Sequence, residues 1–220
     1  NKYYSIIVMK TFNILIFLSI ILALEIYLSS KCDQYQENNK YIKQCGSNNI
    51  YDLGFNLLPK LDAKYSFIDD VLTSIPFIAN IYYETKLREL SMLIIIVRII
   101  RLICMNVTIL PPPNNKCNEI IKYKEKSFPY IKFLAGRCNE TVFSAHTSLT
   151  ILSILFLLPL FKDFMKTILY MYAVLVSLII ICLRNHYTID VILAWTISIL
   201  TYIVYYKNKN INRLLPSYLL

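Results

Sequence analysis

Long apolar stretches are the feature that most constrains the fold of this chain. Six stretches carry few charges and approach the roughly 20 helical residues that cross the hydrocarbon core of a bilayer. The chain is 56% hydrophobic with a mean hydropathy of +0.49, which leaves too little polar surface to cover a soluble globule. We therefore predict an all-α membrane protein with six transmembrane helices, forming a single domain over residues 1–220. The predicted spans are residues 5–29, 67–83, 90–110, 142–161, 167–183 and 188–206.

The first stretch has a rival interpretation as a cleaved signal peptide. Its apolar core is long, and Leu28 stands where a cleavage site needs a small residue. We therefore expect a retained span. At the other end of the loop that follows, the stretch at 67–83 is the least apolar of the six, and Asp69 and Asp70 stand at its start.

The basic charge of the chain lies between its apolar stretches. The formal net charge is +9, but most of the Lys and Arg residues fall in loops at the membrane surface, which argues against a nucleic-acid partner. The short connections "ETKLRE" and "FKDFMK" and the tail "KNKNINR" are basic. Because the positive-inside rule gives most weight to short loops, we expect these segments in the cytoplasm.

The two histidines of the chain both stand where an apolar stretch begins. His146 lies in "CNETVFSAHT" and His186 in "NHYTID". Two predicted crossings separate them, so both are expected on the same membrane face, the lumenal or exterior one. A single histidine there is more often an interfacial residue with a hydrogen-bond partner, but two on one face favour catalysis.

The residues around each histidine suggest how it would act. His186 and Asp190 are four residues apart, so on a helix their side chains would share one face. A carboxylate near an imidazole fixes its tautomer and stabilises the cation. We therefore predict His186 as a nucleophile or base oriented by Asp190. His146 would be a second proton-transfer group, with Ser144 and Glu140 nearby.

Arg98 and Arg101 lie inside the third apolar stretch and are adjacent on a helix surface. One Arg at the bilayer centre costs about 2.5–3.5 kcal/mol, so two need partners. A phosphate would satisfy both guanidinium groups. Snorkelling to the interface is the structural alternative for Arg101. Asp69 and Asp70 of the second stretch, and Glu25 of the first, are alternative partners.

The cysteines allow disulfides but indicate no metal site. Four of them fall in the long loops on the predicted outer side, where two disulfides with three alternative pairings are compatible with an oxidising compartment. The chain has no Cys-x-x-Cys pair, so we predict no metal and no cofactor. The four are Cys32, Cys45, Cys117 and Cys138.

Four segments together resemble the sphingomyelin synthase family of the type 2 phosphatidic acid phosphatase superfamily. "CNETVFSAHT" is similar to its Cys-Gly-Asp-x-x-x-Ser-Gly-His-Thr motif, and "HYTID" followed by Val matches its His-Tyr-Ser/Thr-x-Asp-Val motif. "RIIRLICMNVTILPPP" resembles its Arg-rich third span, and "YDLGFNLLP" its acidic-Leu-Gly-Phe-x-x-x-Pro stretch. Order and spacing agree over residues 50–206. The departures are Asn139, Glu140 and Ala145, where the family has Gly, Asp and Gly.

The resemblance implies a six-span transferase that moves phosphocholine from a glycerophospholipid to ceramide. In that mechanism His186 forms a phosphohistidine, His146 transfers protons, and Arg98 and Arg101 stabilise the phosphate. Ser144 and Glu140 would be further substrate contacts. The family's active site faces the Golgi lumen or the cell exterior, which implies a Golgi or plasma-membrane location. A homo-oligomer is compatible with the sequence.

Other functions share this set of residues. Ethanolamine and inositol phosphorylceramide synthases have the same frame and differ in the head group. A lipid phosphate phosphatase would use water as acceptor, but that branch has Lys-x6-Arg-Pro and Pro-Ser-Gly-His motifs, and Phe143 stands here in place of the proline. A non-catalytic lipid sensor is the alternative from another class.

Overall fold

The computed structural model of the chain describes residues 50–62, 65, 67–108, 110, 113 and 142–214, together with six helical positions between 16 and 27; side chains are described up to residue 207, Asn106 excepted. Most of the predicted span 5–29 lies outside these residues. So do Glu140 and the four loop cysteines. The described part of the chain contains helices and turns and no strand, which confirms the all-α prediction there.

Helices begin and end close to the five later predicted spans. A short helix, α1, precedes them in the "YDLGFNLLP" stretch. A 3-10 turn, Leu158–Leu160, directly follows the helix of the fourth predicted span. The helices are α1 (Leu53–Leu57), α2 (Phe67–Tyr82), α3 (Leu87–Val107), α4 (Ala145–Leu157), α5 (Asp163–Cys182) and α6 (Thr188–Leu214).

Two of the described helices are long and apolar enough to cross a bilayer. They are α5, with a mean hydropathy of 2.1, and the Thr188–Lys207 part of α6, with 1.7. The α2 helix has 16 residues and α4 has 13, while α3 carries two arginines in its middle. The count of six spans therefore stays a prediction.

Large apolar side chains point outward along the helices that surround the bundle. Ile78 of α2, Ile103 of α3, Met171 of α5 and Ile203 of α6 are examples of more than twenty such exposed residues. A soluble monomer does not expose apolar surface on this scale, whereas lipid tails accept it. The chain is therefore a membrane protein, with these side chains facing the acyl chains.

The α4 helix lies at the centre of the bundle. Ten of its thirteen residues are buried, and it packs against α2, α3, α5 and α6. A mostly apolar helix whose polar side chains are largely small hydroxyl groups is expected in the interior. Leu152 and Phe156 of α4 form the main core cluster with Leu93 and Val97 of α3 and Ala194 of α6. This packing holds the N-terminal end of α4, where His146 lies, between its neighbours.

Pro76 interrupts the hydrogen bonds of α2, and two neighbouring side chains compensate. Proline has no N–H, so the carbonyl of Leu72 loses its helical donor. The hydroxyl of Tyr172 in α5 donates to that carbonyl at 2.6 Å. The amide of Asn80 donates to the carbonyl of Pro76 at 2.7 Å and to that of Ser153 in α4 at 2.8 Å. These bonds fix α2 against α4 and α5.

Replacing Tyr172 with phenylalanine is expected to destabilise the protein. The Leu72 carbonyl would then lose its donor inside the bundle, at a cost of about 1–3 kcal/mol. Thermal unfolding in detergent measures the change, and Tyr170→Phe on the exposed side of the same helix is the control. Equal midpoints for the two variants would contradict the assignment of this bond.

Candidate active site

Ser144 caps the N-terminus of α4 and so sets the position of His146. Its hydroxyl oxygen accepts a hydrogen bond from the backbone N–H of Thr147 at 3.3 Å and another from the Thr147 hydroxyl at 3.0 Å. Serine is among the preferred N-cap residues because it satisfies an N–H that the helix leaves without an acceptor. The structure thus gives Ser144 a structural role. Its predicted contact with substrate stays a prediction.

His146 pairs with a carboxylate of another helix. Its Nε2 lies 2.8 Å from Oδ1 of Asp70 in the first turn of α2. The His146 side chain is 34% exposed and that of Asp70 is 71% exposed, so the pair borders the outside of the bundle. The sequence suggested Asp70 only as a partner for arginine. The signal that could have found it is the presence of two carboxylates at the start of an apolar helix, where charged groups need partners.

Asp69 connects the same turn of α2 to the segment of the second histidine. Its buried carboxylate accepts a hydrogen bond from the side-chain amide of Asn185 at 2.7 Å. It also accepts the backbone N–H of Asp70 at 3.1 Å. Asn185 directly precedes His186, so two consecutive carboxylates of α2 contact one histidine and the neighbour of the other. The two aspartates therefore bond to His146 and Asn185 rather than to the arginines of α3.

His186 lies in the turn between α5 and α6, not on a helix. Since α6 begins at Thr188, the prediction that His186 and Asp190 share a helical face is wrong in its basis. The two side chains are nevertheless close, with 3.9 Å between Nδ1 and Oδ2, and they are 6% and 1% exposed. That separation suits an ion pair but is too long for a hydrogen bond. The predicted orientation of His186 by Asp190 therefore stays a prediction.

The hydrogen bonds of Asp190 go to backbone instead. Its Oδ2 accepts the N–H of Tyr187 at 3.0 Å, and its Oδ1 accepts the N–H of Phe143 at 3.4 Å. The backbone carbonyl of Asp190 accepts the N–H of Ser144 at 3.3 Å. Asp190 therefore joins the segment before His146 to the segment after His186. Both histidines consequently lie at the same end of the bundle.

Arg101 completes this connection from α3. Its guanidinium is 2% exposed, and Nε donates to the carbonyl of Phe143 at 3.0 Å. Phe143 has a φ of 70°, a left-handed conformation that is unusual for a bulky residue. Asp190 and Arg101 bind the N–H and the carbonyl of this one residue. Together they hold the turn that leads into α4.

Arg98 lies one turn before Arg101 and is half-buried. Both arginines line a pocket between α3 and α4, and Ala145 and Ser148 form its wall at the start of α4. Ile94, Val97, Leu149 and Leu152 are its apolar walls. The predicted contact of the two guanidinium groups with phosphate stays a prediction, and Arg101 has a structural role besides it.

Tyr187 is the ionisable side chain next to His186. Burial raises the pKa of Tyr187 to about 12, and the negative charges of Asp190 and Asp52 act in the same direction. The phenol therefore stays neutral at physiological pH and is no base. Within the described residues no three His, Cys, Asp or Glu side chains form a group that would hold a metal ion.

Comparison with known proteins finds similarity over the segment that holds both histidines. Residues 137–208, which include both histidines and Asp190, match the family model described as PAP2 superfamily C-terminal. Among curated proteins, phosphatidylinositol:ceramide inositolphosphotransferase 2 of Arabidopsis thaliana is 29% identical over 70% of this chain and 58% of its own length. Phosphatidylinositol:ceramide inositolphosphotransferase of Oryza sativa subsp. japonica is 25% identical over 70% of this chain and 56% of its own.

A third relative, phosphatidylinositol:ceramide inositolphosphotransferase 3 of Arabidopsis thaliana, is 25% identical over 70% of this chain and 63% of its own length. The chain thus spans 56–63% of the length of these curated relatives. Their names specify inositol phosphate as the transferred group, so they do not support the phosphocholine specificity expected from the motifs. Residues 137–208 are thus similar to the C-terminal part of the PAP2 superfamily, and about 70% of the chain is similar to these ceramide inositolphosphotransferases.

Proposed function

We propose that this protein is a lipid phosphotransferase that moves inositol phosphate from phosphatidylinositol to the primary hydroxyl of ceramide and releases diacylglycerol. The observation that carries the proposal is the pair of carboxylate-associated histidines that Asp190 joins at one end of the bundle. The names of the relatives favour inositol phosphate over the phosphocholine of the initial prediction. Phosphocholine and phosphoethanolamine are the competing head groups.

The proposed reaction has two steps, and His146 gives up a proton in the first and takes one in the second. In the first, His186 attacks phosphorus, an N–P bond forms, and the bond from phosphorus to the diacylglycerol oxygen breaks while His146 protonates that oxygen. In the second, His146 takes the proton of the ceramide hydroxyl, whose oxygen attacks phosphorus and displaces His186. Since Nδ1 of His186 faces Asp190, Nε2 on the far side of the ring is the atom we assign to the attack.

Asp70 would stabilise the protonated form of His146, which exists before the first step and again after the second. Asp70→Asn removes the charge and keeps the size, so kcat is expected to fall about tenfold, the lower part of the range for a hydrogen bond to a charged group because Asp70 is exposed. Initial rates at saturating lipid measure the effect. Asp163→Asn, an exposed aspartate at the start of α5, is the control. Equal rates for the two variants would remove Asp70 from the mechanism.

The predicted topology belongs to the same proposal. The turns between α2 and α3 and between α4 and α5 lie at the end of the bundle opposite His146, and both contain lysine. We assign these turns to the cytosol and the histidine end to the Golgi lumen or the cell exterior. Six spans, with the first at residues 5–29, would give this arrangement.

A product assay with several donors tests the proposal. Purified protein in mixed micelles receives fluorescent ceramide with phosphatidylinositol, phosphatidylcholine or phosphatidylethanolamine, and the products are separated by thin-layer chromatography. We expect fluorescent inositol phosphorylceramide with phosphatidylinositol and little product with the others. Sphingomyelin as main product would reverse the head-group assignment. Release of free phosphate from phosphatidic acid without ceramide product would support a phosphatase instead.

A further inference from the structure

Asp52 caps two helices at once, its own and the one that follows His186. Its Oδ1 accepts the N–H of Phe55 at 3.0 Å, which makes it the N-cap of α1. Its Oδ2 accepts the N–H of Thr188, the first residue of α6, at 2.8 Å, and the Thr188 hydroxyl donates to Oδ1. The carboxylate is buried and negative, which suits the N-terminal ends of both helices. One side chain thus fixes α1 to the second residue after His186.

The C-terminal end of α1 is held by the second residue before His186. Arg184 donates from its guanidinium to the carbonyls of Phe55 at 2.8 Å and Leu58 at 3.0 Å. The guanidinium also lies over the ring of Phe55, 4.2 Å from its centroid. Carbonyls at the C-terminal end of a helix have no N–H donor within that helix. The arginine supplies donors to these two. The guanidinium also donates from Nη1 to the carbonyl of Ile181 at 3.3 Å, so it joins α1 to the end of α5.

The backbone of Arg184 shows that this arrangement is constrained. Its φ is 56°, and its N–H and that of Asn185 bond to the carbonyls of Ile181 and Ile180 at 3.0 and 3.2 Å. This is a Schellman ending of α5, in which the left-handed position usually holds glycine. An arginine at that position gives up backbone freedom. Its side-chain bonds to α1 explain why the position is not occupied by glycine.

Further contacts lie on either side of the turn that holds His186. The ring of Phe55 stacks on Tyr187 at 5.4 Å between centroids, and the N–H of Leu61 donates to the carbonyl of Cys182 at 2.8 Å. Gly54 donates its N–H to the Thr188 hydroxyl at 3.1 Å. A methyl group on Gly54 would overlap that hydroxyl and lie 2.9 Å from a methyl carbon of Ile181. Only glycine allows α1 this close to α6.

We infer that residues 52–58, here called the α1 clamp, position His186 for attack on phosphorus, with Asp52 and Arg184 as positioning residues. The clamp holds Arg184, Tyr187 and Thr188, so it fixes the backbone on both sides of the histidine. The Asp52 carboxylate and the Arg184 guanidinium, which make these contacts, are buried and bonded to protein, which fits support of the histidine rather than contact with lipid. This inference rests on the proposed transferase function.

Kinetics of Asp52 variants test the clamp. Asp52→Ala is expected to lower kcat roughly 10²-fold while KM for the donor changes less than about twofold, because a misplaced nucleophile slows chemistry more than binding. Asp52→Asn keeps one acceptor oxygen and should recover part of kcat. Arg184→Lys keeps the charge without the two-pronged contact and should resemble Asp52→Ala. Asn56→Ala, on the exposed side of α1, is the control.

Amide hydrogen exchange gives a readout that does not need activity. In Asp52→Ala, peptides covering residues 183–190 should exchange at least about tenfold faster than in the parent, while those of α4 stay unchanged. If Asp52→Ala does not fold, Asp52→Asn and Arg184→Lys carry the test. Parent-like kcat in folded variants, or a raised KM with unchanged kcat, would overturn the clamp. A parent protein inert with every donor would refute the proposed function instead, and exchange would still judge the clamp.

Discussion

His186→Ala is expected to lower the rate of inositol phosphate transfer by more than about 10³-fold, because no other group would form the covalent intermediate. The histidine is 6% exposed and lies in a turn that the α1 clamp and Asp190 hold on both sides. Its removal therefore changes the chemistry without removing a member of the hydrophobic core. We expect the unfolding midpoint in detergent to stay close to that of the parent protein.

The comparison with His146→Ala separates the two roles. In the proposed mechanism His146 transfers protons, so its loss should cost about 10²–10⁴-fold and should slow both formation and breakdown of the intermediate. His186→Ala should form no intermediate at all. A His186→Ala protein that keeps a tenth of the parent rate would show that the phosphoryl group passes directly from donor to ceramide, or through another residue.

Asp190→Asn is expected to reduce both activity and stability. The two carboxylate oxygens of Asp190 each face a backbone N–H, those of Phe143 and Tyr187. An amide keeps one oxygen and turns an NH₂ group toward the other N–H, which leaves a buried donor without an acceptor at about 1–3 kcal/mol. The charge near Nδ1 of His186 disappears as well. We expect activity to fall roughly 10²-fold or more, since an imidazolium would lose its counter-charge.

A loss of both activity and stability would distinguish Asp190 from a residue that only orients the histidine. Transfer rate and thermal unfolding are measured on Asp190→Asn and Asp190→Ala, and we expect the alanine variant to be the less stable because it leaves both N–H groups without an acceptor. A variant with the stability of the parent protein and low activity would show that Asp190 acts only on the histidine. Parent activity in either variant would remove Asp190 from the site.

The helices could be predicted from the sequence because their signal is local. Apolar stretches placed five of them, and their observed ends differ from the predicted ones by at most four residues, except that α6 continues eight residues beyond its predicted end. Contacts between distant parts of the chain carried no such signal. Asp70 and His146 are 76 residues apart, and Asp52 and Thr188 are 136 apart. Nothing in either local sequence indicates the partner.

The error at the site also has a physical cause. The spacing of His186 and Asp190 suggested one helix, but the αL residue Arg184 ends α5 and α6 begins only at Thr188. The predicted contact of Arg101 with phosphate stays a prediction, and the carbonyl of Phe143 is a partner of its guanidinium that only the fold reveals. The resemblance assigns the same motifs to transferases of different head groups. They therefore indicated phosphotransfer but not the head group.

The central claim is that His186 forms a covalent intermediate with the transferred group. Trapping that intermediate tests the claim most directly. The purified protein is incubated with phosphatidylinositol in the absence of ceramide, quenched at alkaline pH and analysed by peptide mass spectrometry. The account predicts an inositol phosphate adduct on His186 that disappears when ceramide is added, together with formation of inositol phosphorylceramide. Ceramide product formed while the adduct lies on any other residue would contradict it.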